Sequence, residues 1–144
     1  MLKKLVPYAR PYSKWIAVGV LCSAAEAIFE LLIPLVMLFF GRRFLTKPPK
    51  SINSLYGYRT ARSMKNQQTW DFAHRVCGKL WSRAGAVMLP LSLLAMLPAL
   101  GRGTEETGMW CIPVTGVQLA VLVGSMFPVE RALKENFDQF GRKR

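Results

Sequence analysis

Residues 67–100 read QQTWDFAHRVCGKLWSRAGAVMLPLSLLAMLPAL, and the change of pattern at Ala84 decides the fold. Before it, Trp70, Ala73, Cys77, Leu80, Trp81 and Ala84 recur at three- and four-residue steps, while Asp71, Arg75, Lys79, Ser82 and Arg83 take the other side. That pattern predicts an amphipathic helix over about residues 67–83. Across residues 84–100 no charged residue occurs. At about 1.5 Å per residue this run sits at the short limit of what a bilayer span requires.

Two more apolar runs flank this segment, residues 15–40 before it and residues 109–129 after it. The third fits a span of about 20 residues and the first has residues to spare. A soluble chain of 144 residues, 51% of them apolar, has too much surface for its volume to hide three such runs. The expected fold class is therefore all-α, a polytopic membrane protein with about three transmembrane helices (15–40, 84–100 and 109–129). Trp81 and Trp110 stand near span ends, where aromatic anchors belong. Pro34, Pro90, Pro98, Pro113 and Pro128 are tolerable in membrane helices and would count against soluble ones.

The net charge of +12 is unevenly placed. Residues 41–83 carry ten Lys/Arg and the segment after Glu130 five more, against four before Trp15 and Arg102 alone between the second and third runs. Positive residues stay on the cytoplasmic side. This puts residues 41–83 and the C-terminus in the cytoplasm, with the protein a multi-pass resident of the cell membrane. Lys3, Lys4, Arg10 and Lys14 pull the other way, since three spans would set them outside. The basic residues read as contacts to the lipid bilayer, each worth about 1 kcal/mol near anionic headgroups. No nucleic-acid partner is expected, because no binding fold accompanies the charge.

Cys22, Cys77 and Cys111 have no paired or metal-ligand spacing and read as free thiols. The basic start, the apolar stretch from Trp15 and the small residues Ser23, Ala24 and Ala25 resemble a secretory signal. The apolar run, however, resumes after Glu30, which a cleaved peptide would not need.

Residues 41–83 hold the polar cassette of the chain. Lys47-Pro48-Pro49-Lys50 ends a helix, since prolines remove donors and restrain the residue before each. Tyr56-Gly57-Tyr58-Arg59-Thr60 follows, with Gly57 free to take a positive φ. Asn66 is the N-cap candidate for the amphipathic helix. The plain reading of that helix is an element lying on the inner leaflet. The sharper one has Tyr58, Arg59, Arg62, Trp70 and His74 converging on a polar pocket near the membrane surface. His74, the single histidine, can titrate near neutral pH but lacks companions for a metal site or a nucleophilic triad.

Glu26 and Glu30 are acids inside an apolar run, four residues apart and so on one helix face. Ionisable residues at membrane depth cost about 2.5 kcal/mol or more, which marks them as functional candidates, or as hydrated residues of an over-long helix. Gly116, Ala120 and Gly124 form a small-residue stripe on the third run, a helix-packing face for the other spans or for a second copy in a homo-oligomer. Gln118 beside it should seek a hydrogen bond between helices. After Pro128, the pairs Glu130/Lys134 and Arg131/Glu135 predict a short helix.

No nucleophile with a base, no paired catalytic carboxylates and no metal cluster is recognisable, so no catalysis and no cofactor are expected. No Gly-x-x-x-x-Gly-Lys-Ser/Thr loop is present to cradle a nucleotide phosphate.

The block Gly57-Tyr58-Arg59-Thr60, then Ser63, Asn66, Trp70, His74 and Gly78, followed by two apolar runs, resembles the SdpI family of bacterial integral membrane proteins. The likeness covers about residues 31–144. It implies a non-enzymatic helical membrane domain whose hallmark is a motif loop between spans. That loop comprises Tyr56, Gly57, Tyr58, Arg59, Thr60, Arg62, Asn66, Trp70, His74 and Gly78. The family's namesake confers immunity to a secreted peptide toxin and holds a cytoplasmic regulator at the membrane, so either partner is implied for this loop. On that basis Arg59→Ala or Trp70→Ala is expected to abolish protection without preventing insertion. The first thirty-odd residues differ. Leu5-Val6-Pro7-Tyr8-Ala9-Arg10-Pro11-Tyr12, Trp15 and then the stretch from Ala25 to Leu35 resemble the elbow and first span of an ABC exporter. This divides the chain into residues 1–30 and 31–144, and implies as an alternative a transporter fragment or an accessory subunit of an exporter.

Overall fold

The computed structural model describes residues 13–99 and 103–144. The elbow expected over residues 5–12, the Lys3, Lys4 and Arg10 cluster, and Arg102 lie outside the described residues, as does the side chain of Glu26. Four α-helices follow in order: α1 (Ser13–Thr46), α2 (Gln67–Met96, extended by a 3-10 turn Leu97–Ala99), α3 (Thr104–Gly124) and α4 (Met126–Asn136). No strand forms among the described residues, only one isolated bridge between Phe137 and Lys143.

The amphipathic segment and the second apolar run are one helix. The change of pattern at Ala84 alters what the helix faces without breaking it, and α2 runs for 30 residues, about 45 Å at 1.5 Å per residue. Its start is fixed by a capping box. The Asn66 side chain accepts from Thr69 N at 2.9 Å and Thr69 Oγ1 accepts from Asn66 N at 3.1 Å. Two backbone donors that a helix start leaves open are thereby satisfied. At the end of α1, Thr46 lies just ahead of Lys47-Pro48, where the residue before proline is driven out of the helical region.

α1 and α2 are antiparallel and meet at glycines. A Cβ on Gly41 would lie 2.3 Å from Ser82 N, one on Gly78 3.0 Å from Gly41 O, and one on Gly85 2.6 Å from Leu38 N and 2.8 Å from Pro34 O. Gly78 and Gly85 are seven residues, or two turns, apart, so both face α1. Backbone approach of this kind is how apolar helices gain packing where hydrocarbon surrounds them. α3 then runs back parallel to α1. Trp110 Nε1 donates to Ala95 O (2.6 Å), Gln118 Nε2 to Ser92 Oγ (2.9 Å) and Trp81 Nε1 to Ser125 Oγ (2.8 Å).

Among the described residues two helices, Gln67–Ala99 and Glu105–Asn136, are long and apolar enough to cross a membrane. Their outward faces carry Leu94, Ile112, Val117 and Val123, all more than half exposed. α1 presents a face of the same kind through Leu21, Ile28, Phe29 and Phe39. Apolar surface left open on every helix is a lipid-facing pattern rather than that of a soluble bundle. At the opposite extreme, the buried cluster of Phe44, Tyr58, Ala73, Cys77, Val129, Leu133 and Phe137 gathers at one end. That end holds the α1–α2 connection, the charged half of α2, α4 and the C-terminal residues.

Gly116 and Ala120 lie on the exposed face of α3, and Gly116 and Gly124 have nothing within 4 Å of a built Cβ. The small-residue stripe therefore packs against no other described helix, and the close approach occurs at Gly41, Gly78 and Gly85 instead.

Candidate functional site: a capped end with a basic groove

The residues between α1 and α2 fold back over the bundle end, held by hydrogen bonds that the motif residues make with each other. Gly57 has φ 129°, a region that disfavours side chains, and a Cβ there would meet His74 Nε2 at 2.5 Å. The turn it permits presents the Tyr58 N–H to His74 Nε2 at 2.9 Å. The other ring nitrogen, Nδ1, lies 2.7 Å from Trp70 O. A carbonyl only accepts, so Nδ1 bears the proton and Nε2 is the free acceptor. His74 is 0% exposed, and burial lowers its pKa from the ordinary 6.5, with the bond to the Trp70 carbonyl acting in opposition. Both partners of this neutral tautomer are backbone groups, so the ring is committed to structure.

Trp70, also 0% exposed, donates through Nε1 to Pro49 O at 2.9 Å. It thus ties the proline segment to α2 and packs against His74, the rings tilted by 53° with centroids 4.3 Å apart. Ser63 locks the rest of the turn. Its hydroxyl donates to Tyr58 O (2.8 Å) and accepts from Thr60 N (2.9 Å). Asn66, besides capping α2, donates through Nδ2 to Gly141 O at 2.7 Å, and Lys65 Nζ donates to Gln139 O. Tyr58 reaches α4, where its hydroxyl lies 3.2 Å from Glu130 Oε1 and 3.3 Å from Met126 O. Burial first and the Glu130 charge second raise the Tyr58 pKa well above that of free tyrosine, so the hydroxyl keeps its proton and donates. Arg62 sits 3.7 Å from the same carboxylate, half-exposed.

The sequence-predicted residues therefore divide. Gly57, Tyr58, Asn66, Trp70 and His74 are brought together as an interlocked cap, not as an open polar pocket, while Gly78 packs against Gly41 and Phe44 of α1. Arg59 points to solvent, Arg62 pairs with Glu130, and Tyr56 packs near Phe40 and Phe44 with its hydroxyl buried and unpartnered. Sequence reasoning missed Glu130, which serves both Tyr58 and Arg62, and the Pro49 carbonyl that anchors Trp70. Neither carries a local signal, because both contacts join distant parts of the chain.

The open surface lies beside the cap. A groove of about 980 Å³ runs between the end of α1, the proline segment and the first turns of α2. Arg43, Lys47, Lys50 and Arg75 line it with one acid, Asp71, and Phe44 and the two prolines give it an apolar floor. Gln67 Nε2 donates to Lys50 O (2.9 Å) and to Asp71 Oδ1 (2.7 Å), fixing one rim. Such a surface suits a partner that brings negative charge and an apolar contact. Among the described residues no group of three His, Cys, Asp or Glu is placed to hold a metal ion.

A model of the SdpI/YfhL protein family matches residues 50–129, which covers the cap motif, α2 and α3. The uncharacterized protein YfhL of Bacillus subtilis (strain 168) is 44% identical over 59 residues, 41% of this chain and 54% of that protein. The chain thus spans about half the length of that curated relative. No solved structure matches. The likeness of residues 1–37 to an ABC exporter is carried by none of these matches.

Proposed function

The chain belongs to the SdpI/YfhL protein family, and from that membership we propose that it is a non-enzymatic, multi-pass protein of the bacterial inner membrane. In this reading α1, the second half of α2 and α3 cross the bilayer, and residues 41–83 and the C-terminus share the cytoplasmic side. Its role is to bind a peptide or protein partner, as immunity to a peptide toxin or as retention of a cytoplasmic regulator. One observation carries the reading: the family motif is spent on building a rigid cap, and the cap leaves a charged groove open beside it. The recognition surface is then the groove of Arg43, Lys47, Lys50 and Arg75, with the motif as its scaffold. The commitment of both His74 nitrogens to backbone groups supports a role without catalysis. The fifteen cations of residues 41–83 and of the tail after Glu130 support a cytoplasmic position for this end.

Charge reversal in the groove tests it. A Lys47→Glu, Lys50→Glu, Arg75→Glu variant is expected to insert in normal amounts and to lose protection against the cognate peptide, or capture of the regulator. Retained protection at normal abundance would refute the groove as the recognition surface.

A further inference from the structure

Midway along the bundle the three helices meet through polar groups. Glu30 on α1 is 5% exposed and Gln118 on α3 is 3% exposed. Thr115 Oγ1 donates to Glu30 Oε1 at 2.5 Å, and Gln118 Nε2 donates to both Glu30 O (2.8 Å) and Ser92 Oγ of α2 (2.9 Å). Because the Glu30 backbone oxygen can only accept, the Gln118 amide is fixed with its nitrogen there, and its oxygen is turned away. Glu30 Oε2 and Gln118 Oε1 are buried with no hydrogen-bond partner. Both orphans are acceptors, and α2 and α3 bring Ser92, Thr115 and Gln118 to this seam but no charged side chain. On α1, Glu26 is one turn earlier. At 1.5 Å per residue, Glu30 lies about 18 Å from Arg42, Ser92 about 14 Å from Arg83 and Gln118 about 18 Å from Glu130, near the middle of a hydrocarbon core roughly 30 Å thick.

Two buried acceptor oxygens are left without a donor, one of them on a carboxylate whose other oxygen accepts from Thr115, and among the described residues no cation lies near them, so the pair calls for a donor or a cation. We propose that Glu30, Ser92, Thr115 and Gln118 form a membrane-embedded site for one monovalent cation, a proton or a sodium ion, with Glu30 Oε2 and Gln118 Oε1 as its open acceptors. A groove of about 310 Å³ between α2 and α3, lined by Met88, Leu91, Trp110, Pro113 and Val117, has Ser92 and Gln118 on its wall. The site is independent of the groove at the capped end.

The test uses the full chain in detergent micelles and a membrane-permeant carbodiimide, which adds to protonated carboxyls in apolar surroundings, with the labelled residue located by peptide mass spectrometry. Glu30 is expected to label. Loss of labelling on adding sodium at fixed pH identifies a sodium site, and loss only on raising the pH, with sodium and potassium alike ineffective, identifies a proton site. An unlabelled Glu30 under every condition, or labelling indifferent to both pH and sodium, overturns the proposal. As a second measurement, the Tm of the wild type shifts with the cation that binds, and that of Glu30→Gln does not. Equal shifts in both proteins also overturn it.

Discussion

The Tyr58 N–H and His74 Nε2 are joined at 2.9 Å across sixteen residues, and with the Trp70–Pro49 bond this fastens the motif loop to α2. Replacing His74 by Leu leaves the Tyr58 N–H buried without an acceptor. The cost of such an orphan is about 1–3 kcal/mol. Thermal unfolding in detergent, followed by circular dichroism, should show the variant less stable by that order.

The same bond makes stability pH-dependent. Burial lowers the His74 pKa below the ordinary 6.5, so the unfolded chain takes the proton first as the pH falls. Stability is therefore full above pH 6.5, declines as the pH drops below it, and levels off once folded His74 itself titrates. A protonated ring cannot accept from Tyr58, so the loop is what comes loose. Unfolding measured against pH should show this acid-side loss in the wild type and a flatter profile over the same window in His74→Leu.

At Gly85, a Cβ would fall 2.6 Å from Leu38 N and 2.8 Å from Pro34 O, both backbone atoms that cannot step aside. Gly85→Ala should push α1 from α2 and cost about 1–3 kcal/mol, as overpacking does. Gly116→Ala, with nothing within 4 Å, should change stability of the monomer by no more than about 0.5 kcal/mol. Sensitivity at Gly116 together with tolerance at Gly85, in the same unfolding assay, would contradict the helix arrangement.

Trp70 and Arg75 separate scaffold from surface. Trp70→Ala removes a side chain with 0% exposure and should cost about 3–5 kcal/mol, so it lowers the amount of folded protein as well as any protection. Arg75→Glu, on the exposed rim, should leave stability within about 0.5 kcal/mol. Membrane abundance by immunoblot, measured beside protection, distinguishes the two. The expectation from sequence that Trp70→Ala spares insertion sits poorly with the buried position of its ring.

What was legible in the chain was local. Asn66 as the N-cap of α2 and Gly57 at a positive φ follow from the chemistry of a few neighbouring residues, and both are observed. So is a short helix over Glu130, Arg131, Lys134 and Glu135, with the Arg131–Glu135 pair at 2.9 Å. Contacts between distant segments were not legible. Gly78 and Gly85 at two-turn spacing could have suggested a packing face, but nothing in the sequence links them to Gly41. The stripe of Gly116, Ala120 and Gly124 had the better-known spacing and yet faces outward. The amphipathic helix does lead into the second apolar run, as one continuous α2, because a switch from amphipathic to apolar pattern marks a change of surroundings, which a helix crosses without a break. Residues of the motif drew attention as a binding pocket because they are polar and aromatic. The same groups satisfy one another when buried, and only the geometry distinguishes the two uses.

The account rests on the motif loop and the C-terminal segment sharing one side of the membrane, since Glu130 meets Tyr58 and Arg62, and Gly141 meets Asn66. Reporter fusions at Ser54, Thr104 and the C-terminus measure this directly. The result predicted is cytoplasmic activity at Ser54 and at the C-terminus and external activity at Thr104. Opposite sidedness of Ser54 and the C-terminus would contradict the capped bundle, and an external Ser54 would contradict a groove facing the cytoplasm.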